Sequence, residues 1–228
     1  MYRADAPQVE KLVYVVEADG HVRGRVVEHL RAAGYTAVGC GSAAELFPVI
    51  DRGRPGCVLL DMGLPDMSGL DVLEELKRIS VDLAVILTSA QPVIPAIARG
   101  FKQGAKDFLE KPCDEAQLLA SVDRAVAGCM KNHHKRQHCA HLVAQLAALT
   151  DRERQVLRRV LDGDTSRMIG EQMNLSQKTI EACRATLMKK LDASSLAELV
   201  RKVVSVELHL NAHELPAPYA RSSTSPPC

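Results

Sequence analysis

Three short runs in the first part of the chain, Leu12–Val16 (LVYVV), Cys57–Leu60 (CVLL) and Leu83–Leu87 (LAVIL), are apolar at every position. A strand with one face in water alternates apolar and polar residues. Runs without alternation read as strands covered on both faces, which is the condition of a parallel sheet flanked by helices. Tyr35–Val38 and Lys106–Leu109 are weaker strand candidates. Between these runs lie helical patterns with capped starts, marked by Ser42 with Glu45, Ser68 with Asp71 and Asp114 with Gln117. Five βα units of this kind predict a doubly wound α/β domain over residues 10–128, with a five-stranded parallel sheet and a ligand site at the carboxyl ends of its strands.

After Arg124 no further strand pattern occurs. Residues 129–145 are basic and rich in histidine, and read as a linker helix. From Thr150, which forms a capping box with Glu153, helical patterns follow in short order. The stripe Val156, Leu157, Val160 and Leu161 marks the first helix, and the chain breaks at Asp162-Gly163-Asp164. A short helix from Ser166 to Met173 is joined by Asn174-Leu175-Ser176 to a longer one, Gln177–Leu191, a spacing that predicts a helix-turn-helix within an all-α domain of four helices over residues 146–208. The last helix carries Leu199, Val203 and Val204, expected to be exposed or half exposed. Residues 209–228, rich in Pro, Ser and Ala, are expected to form a disordered tail.

Composition narrows the function. The 228 residues are 46% hydrophobic and 25% charged, the ordinary range for one or two globular domains. No apolar run approaches the roughly 18 to 20 residues needed to span a bilayer, and Met1–Lys11 lacks the apolar core of a signal peptide, so a cytoplasmic protein without membrane contact is expected. The seven cysteines include no CxxC pair and fit reduced thiols rather than a disulfide framework. With no tryptophan and only seven aromatics, stacking on bases is a poor candidate for the main chemistry. Charge is divided along the chain: residues 10–128 hold 13 Lys and Arg against 17 Asp and Glu, residues 129–149 hold 3 against 0, and residues 150–210 hold 11 against 9. The basic second part suits a polyanionic partner.

Chemistry concentrates at the predicted strand ends. Glu17 and Asp19 follow the first run, Asp61 ends the second in LLDMGLPDMSG, Thr88 ends the third in VILTSA, and Lys111 precedes Pro112. An aspartate that accepts a phosphoryl group needs a divalent cation, acids to hold that cation, and a lysine and a hydroxyl for the remaining oxygens. The segment resembles the receiver domain of two-component response regulators. The resemblance implies that Asp61 is the phosphoacceptor, Thr88 the switch hydroxyl, Lys111 the phosphate partner and Phe108 the switch aromatic, with a cis bond between Lys111 and Pro112. It implies Mg²⁺ as cofactor, held by Glu17, Asp19, Asp61 and the carbonyl of Gly63, and a sensor histidine kinase as partner. Receivers place two adjacent acids after the first strand, the second of them a direct metal ligand, whereas this chain reads Glu17-Ala18. Either Asp19 reaches around or Glu17, with its extra methylene, binds the cation. The alternative is an atypical receiver that controls DNA binding through a partner protein or a thiol.

Residues from about 149 to 206 resemble the LuxR-type helix-turn-helix of the FixJ/NarL family, through LTDRERQVLRRVLDG, SRMIGEQMNLSQKTIEACRATLMKKL and SSLAELVRKV. The helix face opposite Ile180, Leu187 and Leu191 presents Lys178, Glu181, Ala182, Ala185 and Lys189, which could lie in the major groove of duplex DNA. Lys178, Arg184, Lys189, Lys190 and Arg167 are candidate phosphate contacts. Glu181 suits a cytosine amino group, and Ala182 and Ala185 suit thymine methyls. Cys183 stands where the family usually has histidine. The resemblance implies a homodimer when active, formed through the last helix. His134, His138 and His141 fall at i, i+4 and i+7 of the linker helix, a spacing that suits a transition metal, with a solvated basic connector as the plain alternative. No second catalytic constellation is present, so the whole reads as a DNA-binding transcriptional response regulator and not as an enzyme.

Overall fold

The computed structural model describes residues 11–79 and 82–210, the side chains of 207–210 excepted. Five strands, β1 (Leu12–Val16), β2 (Thr36–Cys40), β3 (Gly56–Asp61), β4 (Leu83–Ser89) and β5 (Asp107–Glu110), form one parallel sheet in the order β2-β1-β3-β4-β5. They alternate with α1 (Gly20–Ala32), α2 (Ala43–Val49), α3 (Gly69–Arg78), α4 (Ile94–Lys102) and α5 (Glu115–Ala147).

The uninterrupted apolar runs are explained by a core on each face. Val13, Val15, Cys57, Leu59, Ala84 and Ile86 pack with α1 and α5, while their sequence neighbours Leu12, Tyr14, Val16, Val58, Leu60, Val85 and Leu87 pack with α2 and α3. Every residue of β1 is buried, whereas β2, at the sheet edge, buries only Ala37 and Cys40, which is why its sequence signal is weak. The strand order reverses at β1, whose neighbours are β2 and β3, so the crevice at its carboxyl end is where a ligand site is expected.

Residues 135–210 carry a separate compact unit, the division falling inside α5 between His134 and Lys135. The segment assigned from sequence to a linker, 129–145, is not a free connector. Cys129 donates to the Asp82 carbonyl, and the His133 ring Nδ1 lies 2.7 Å from the Asp82 carboxylate, which fixes this part of α5 to the sheet domain. Leu142 and Leu146, further along, belong to the core of the second unit. Among the described residues no group of three or more His, Cys, Asp or Glu could hold a metal, so the histidine spacing on α5 does not assemble a ligand set. No described helix is long and apolar enough to cross a membrane.

In the second unit, α6 (Asp151–Leu161), α7 (Ser166–Met173), α8 (Gln177–Lys190) and α9 (Leu196–Leu210) surround Val156, Leu157, Ile169, Ile180, Leu187 and Leu191. The expected Thr150–Glu153 capping box forms in full. Asn174 takes the left-handed conformation, φ 57°, that ends α7 and turns the chain, and Ser176 caps α8. A Cβ on Gly170 would lie 2.7 Å from the Leu175 carbonyl oxygen, so the tight approach of α7 to this turn requires a residue without a side chain. One expectation is corrected. Leu199 and Val203 are 2% and 1% exposed and belong to this unit's own core, so they offer no surface to a second copy; Val200 and Val204 are half-buried. The tail expected from residue 209 begins inside α9, and residues 211–228 lie outside the described part.

Candidate functional site

The carboxyl ends of the strands bring together residues distant in sequence. Asp61 ends β3 and pairs in register with Thr88 of β4. Its Oδ1 accepts from the Gly63 N–H at 3.2 Å, and its Oδ2 lies 2.9 Å from Lys111 Nζ. Lys111 follows β5, and the Lys111–Pro112 bond is cis. The same ammonium donates to Glu17 Oε2, while Glu17 Oε1 accepts from the Asp19 N–H at 3.1 Å. Burial by itself would push the Lys111 ammonium toward its neutral form; hydrogen bonds and the charges of Glu17 and Asp61 outweigh it and raise the pKa above the ordinary lysine value. Thr88 is buried, and Phe108 is half-buried against the core that α2 and α3 cover.

Backbone contacts hold this cluster. A Cβ on Gly69 would fall 2.6 Å from the Asp61 carbonyl oxygen, so the start of α3 packs directly on the end of β3. The Asp66 carboxylate accepts from the N–H groups of Ala43 and Ala44, at 3.2 and 2.9 Å, and ties the loop after β3 to the start of α2. The Ala44 N–H is the main reason its pKa lies below the usual carboxylate range. Arg23 of α1 donates to the carbonyls of Glu17 (2.6 Å) and Ala18 (3.2 Å), fixing the loop that carries the missing acid. Arg23 and Asp66 were not singled out from sequence; Asp66 lies within the DMGLPDMSG motif, but nothing local marks Arg23.

Of the expected cation ligands, Asp19 is turned elsewhere. Its carboxylate caps α1, accepting from His21 and Val22 N–H at 2.8 and 3.1 Å, and those bonds depress its pKa. Backbone donors at a helix start compete for this short side chain, so its placement gives no support to the reading in which Asp19 reaches around for Ala18. Glu17 and Asp61 converge, since both contact one ammonium nitrogen. Two converging carboxylates suit a cation that keeps several of its waters, such as Mg²⁺.

In the second unit, Lys178, Glu181, Ala182, Ala185 and Lys189 are exposed along one face of α8. Lys178 and Lys189 make no side-chain hydrogen bond or ion pair among the described residues. The other expected contacts are engaged within the domain. Lys190 pairs with Glu153 at 2.8 Å, Arg184 donates to Ser166 Oγ at 3.0 Å, Arg167 pairs with Glu171 at 3.0 Å, and Glu181 accepts from Gln177 at 2.8 Å. The pairing of Lys190 was not visible in the sequence because Glu153 lies on a different helix. Cys183 is half-buried, and burial raises its thiol pKa, which is the behaviour of a packing residue rather than a reactive thiolate.

Comparison with known proteins agrees with both units. Residues 13–123 match the model of the response regulator receiver domain, and residues 147–203 that of bacterial regulatory proteins, luxR family. The chain is 33% identical to the transcriptional regulatory protein FixJ of Azorhizobium caulinodans over 192 residues, covering 83% of this chain and 90% of that protein. It is 32% identical to nodulation protein W of Bradyrhizobium diazoefficiens, with 89% of each covered. Among solved structures, the response regulator StyR superposes with a TM-score of 0.79 at 31% identity, covering 86% of this chain and 99% of that one. A receiver domain followed by a luxR-family domain, matched along most of both chains by relatives above 30% identity, places this protein among the two-component response regulators with a LuxR-type DNA-binding domain.

Proposed function

We propose that Asp61 accepts a phosphoryl group from a sensor histidine kinase and that the modified receiver controls dimerisation and promoter binding by α8. The observation that carries this reading is the Lys111 ammonium 2.9 Å from Asp61 Oδ2, with Thr88 across the register. In the transfer an Asp61 oxygen attacks phosphorus, the bond from phosphorus to the kinase imidazole breaks, and the imidazole leaves with the electron pair. Glu17, Asp61 and the Gly63 carbonyl would hold Mg²⁺, which when bound neutralises charge on the phosphoryl oxygens. Lys111 would pass from Glu17 and Asp61 to the added charge of about −1.5 to −2. Thr88 would supply a hydroxyl and Phe108 would turn with it, a population shift of the receiver surface. At the other end, Lys178 and Lys189 would contact phosphates, and Glu181, Ala182 and Ala185 would face base edges.

The test is intact-mass detection of phosphorylation by acetyl phosphate, with and without Mg²⁺, on the wild type, Asp61→Asn and Ala18→Asp. A single phosphoryl addition that disappears in Asp61→Asn is expected; labelling that persists in Asp61→Asn overturns the assignment. A second reading, a receiver switched by a partner protein without phosphate, draws support from Ala18, from Asp19 serving as a cap and from the Lys111 contact on Glu17. Labelling that begins only with Ala18→Asp would decide for it.

A further inference from the structure

A cavity of about 470 Å³ opens between α1 and the start of α5, within the size range of about 300–1,000 Å³ typical of small-ligand sites. Val22 and Val26 on α1, Leu118 on α5 and Leu59 on β3 give it apolar walls. Val22 is 40% exposed, unusual for a valine facing a helix neighbour and consistent with an uncovered mouth.

Polar groups at this cavity are unequally matched. Lys111 and Glu17 also line it but satisfy each other. Arg25 and His29, one turn apart on α1, do not. The Arg25 side chain is exposed and makes no hydrogen bond or ion pair among the described residues. The His29 ring turns Nδ1 toward Glu115 Oε2 at 3.4 Å, and its Nε2 is buried away from the cavity. An unpaired guanidinium at the rim of an apolar cavity suits an anionic oxygen ligand with an apolar body.

We propose that this cavity is a binding site for a small amphipathic monocarboxylate. The apolar body lies between α1 and α5 against Val22, Val26 and Leu118. The carboxylate meets the Arg25 guanidinium at the rim. Arg25 sets the charge of the ligand, and the distance from the rim to Leu59 sets the length of its apolar part. This inference does not rest on Asp61 accepting phosphate.

The test uses the full-length protein with decanoate, followed by calorimetry, and decan-1-ol as the uncharged comparator. Cys113 lines the same cavity, so its alkylation by iodoacetamide, read by peptide mass, locates the ligand. We expect one decanoate per chain, with decan-1-ol and the Arg25→Gln variant each bound about tenfold more weakly, as loss of a charge-assisted contact implies. Saturating decanoate should slow alkylation of Cys113 but not of Cys183. Arg25→Gln keeps the fold intact, since Arg25 holds nothing else. Absence of decanoate binding, equal binding by the wild type and Arg25→Gln, or unchanged alkylation of Cys113 overturns the proposal.

Discussion

Lysines serve opposite ends in the two parts of this molecule. At the receiver site Lys111 is 22% exposed and held between Glu17 and Asp61, so its charge balances acids brought from other strands. On α8 the charges of Lys178 and Lys189 face outward, while Lys190, the next residue, is directed to Glu153. A site assembled from four strand ends loses its balance when any member is removed. A helix whose buried and exposed faces alternate along one segment can lose a contact without losing its shape, or its shape without any change at the other site.

That difference is broken most sharply from inside α8. Leu187 is fully buried, and Leu187→Ala should cost about 2–5 kcal/mol, enough to unfold much of the C-terminal unit. Urea denaturation should show this loss together with loss of duplex binding, while the response to acetyl phosphate stays that of the wild type. Gly170→Ala should cost about 1–3 kcal/mol in the same assay, because the new methyl meets the Leu175 carbonyl, which is backbone and cannot swing aside. At the receiver, Lys111→Met leaves Glu17 and Asp61 facing each other without their shared counterion. A loss of about 1–3 kcal/mol is expected at neutral pH, smaller than for a wholly buried pair because Lys111 retains some solvent contact. A denaturation midpoint equal to the wild type would mean that the ammonium contributes nothing to the fold.

The two parts were also unequally legible in the sequence. The sheet was readable because each of its inner strands is buried on both faces, and continuous apolar runs leave little else to build. The turn between α7 and α8 was readable because its caps, Asn174 and Ser176, are local, as is the Thr150–Glu153 box that starts α6. What escaped depends on which way a side chain turns. Asp19 stands near enough in sequence to replace the absent acid, yet the two N–H groups at the start of α1 claim it. Leu199 and Val203 follow the helical period, but the period does not say whether their face meets this chain's own core or a second chain. Likewise the basic run 129–145 resembles a solvated connector until Asp82, at the far end of the sheet domain, binds Cys129 and His133.

The smallest expected effect gives the finest comparison, between Lys189 and Lys190. Lys189→Ala should leave stability within about 0.5 kcal/mol, since an exposed side chain without a partner has little to lose. If Lys189 meets a phosphate, the same change lowers the salt dependence of duplex binding by about one ion, read as the slope of log K against log salt. Lys190→Ala should do the reverse, leaving the slope unchanged and lowering the thermal midpoint modestly, because Lys190 is part-exposed. The pH profile separates this from a general loss of stability. Lys190 and the Thr150 N–H hold the Glu153 carboxyl below the usual carboxylate range. A depressed folded-state pKa contributes stability that is fully present above the ordinary carboxylate value and lost as the pH falls through the depressed one. The midpoints of wild type and Lys190→Ala should therefore differ at neutral pH and converge in acid. A Lys190→Ala slope reduced as much as that of Lys189→Ala would mean that DNA draws Lys190 away from Glu153, and that the two lysines act as one contact.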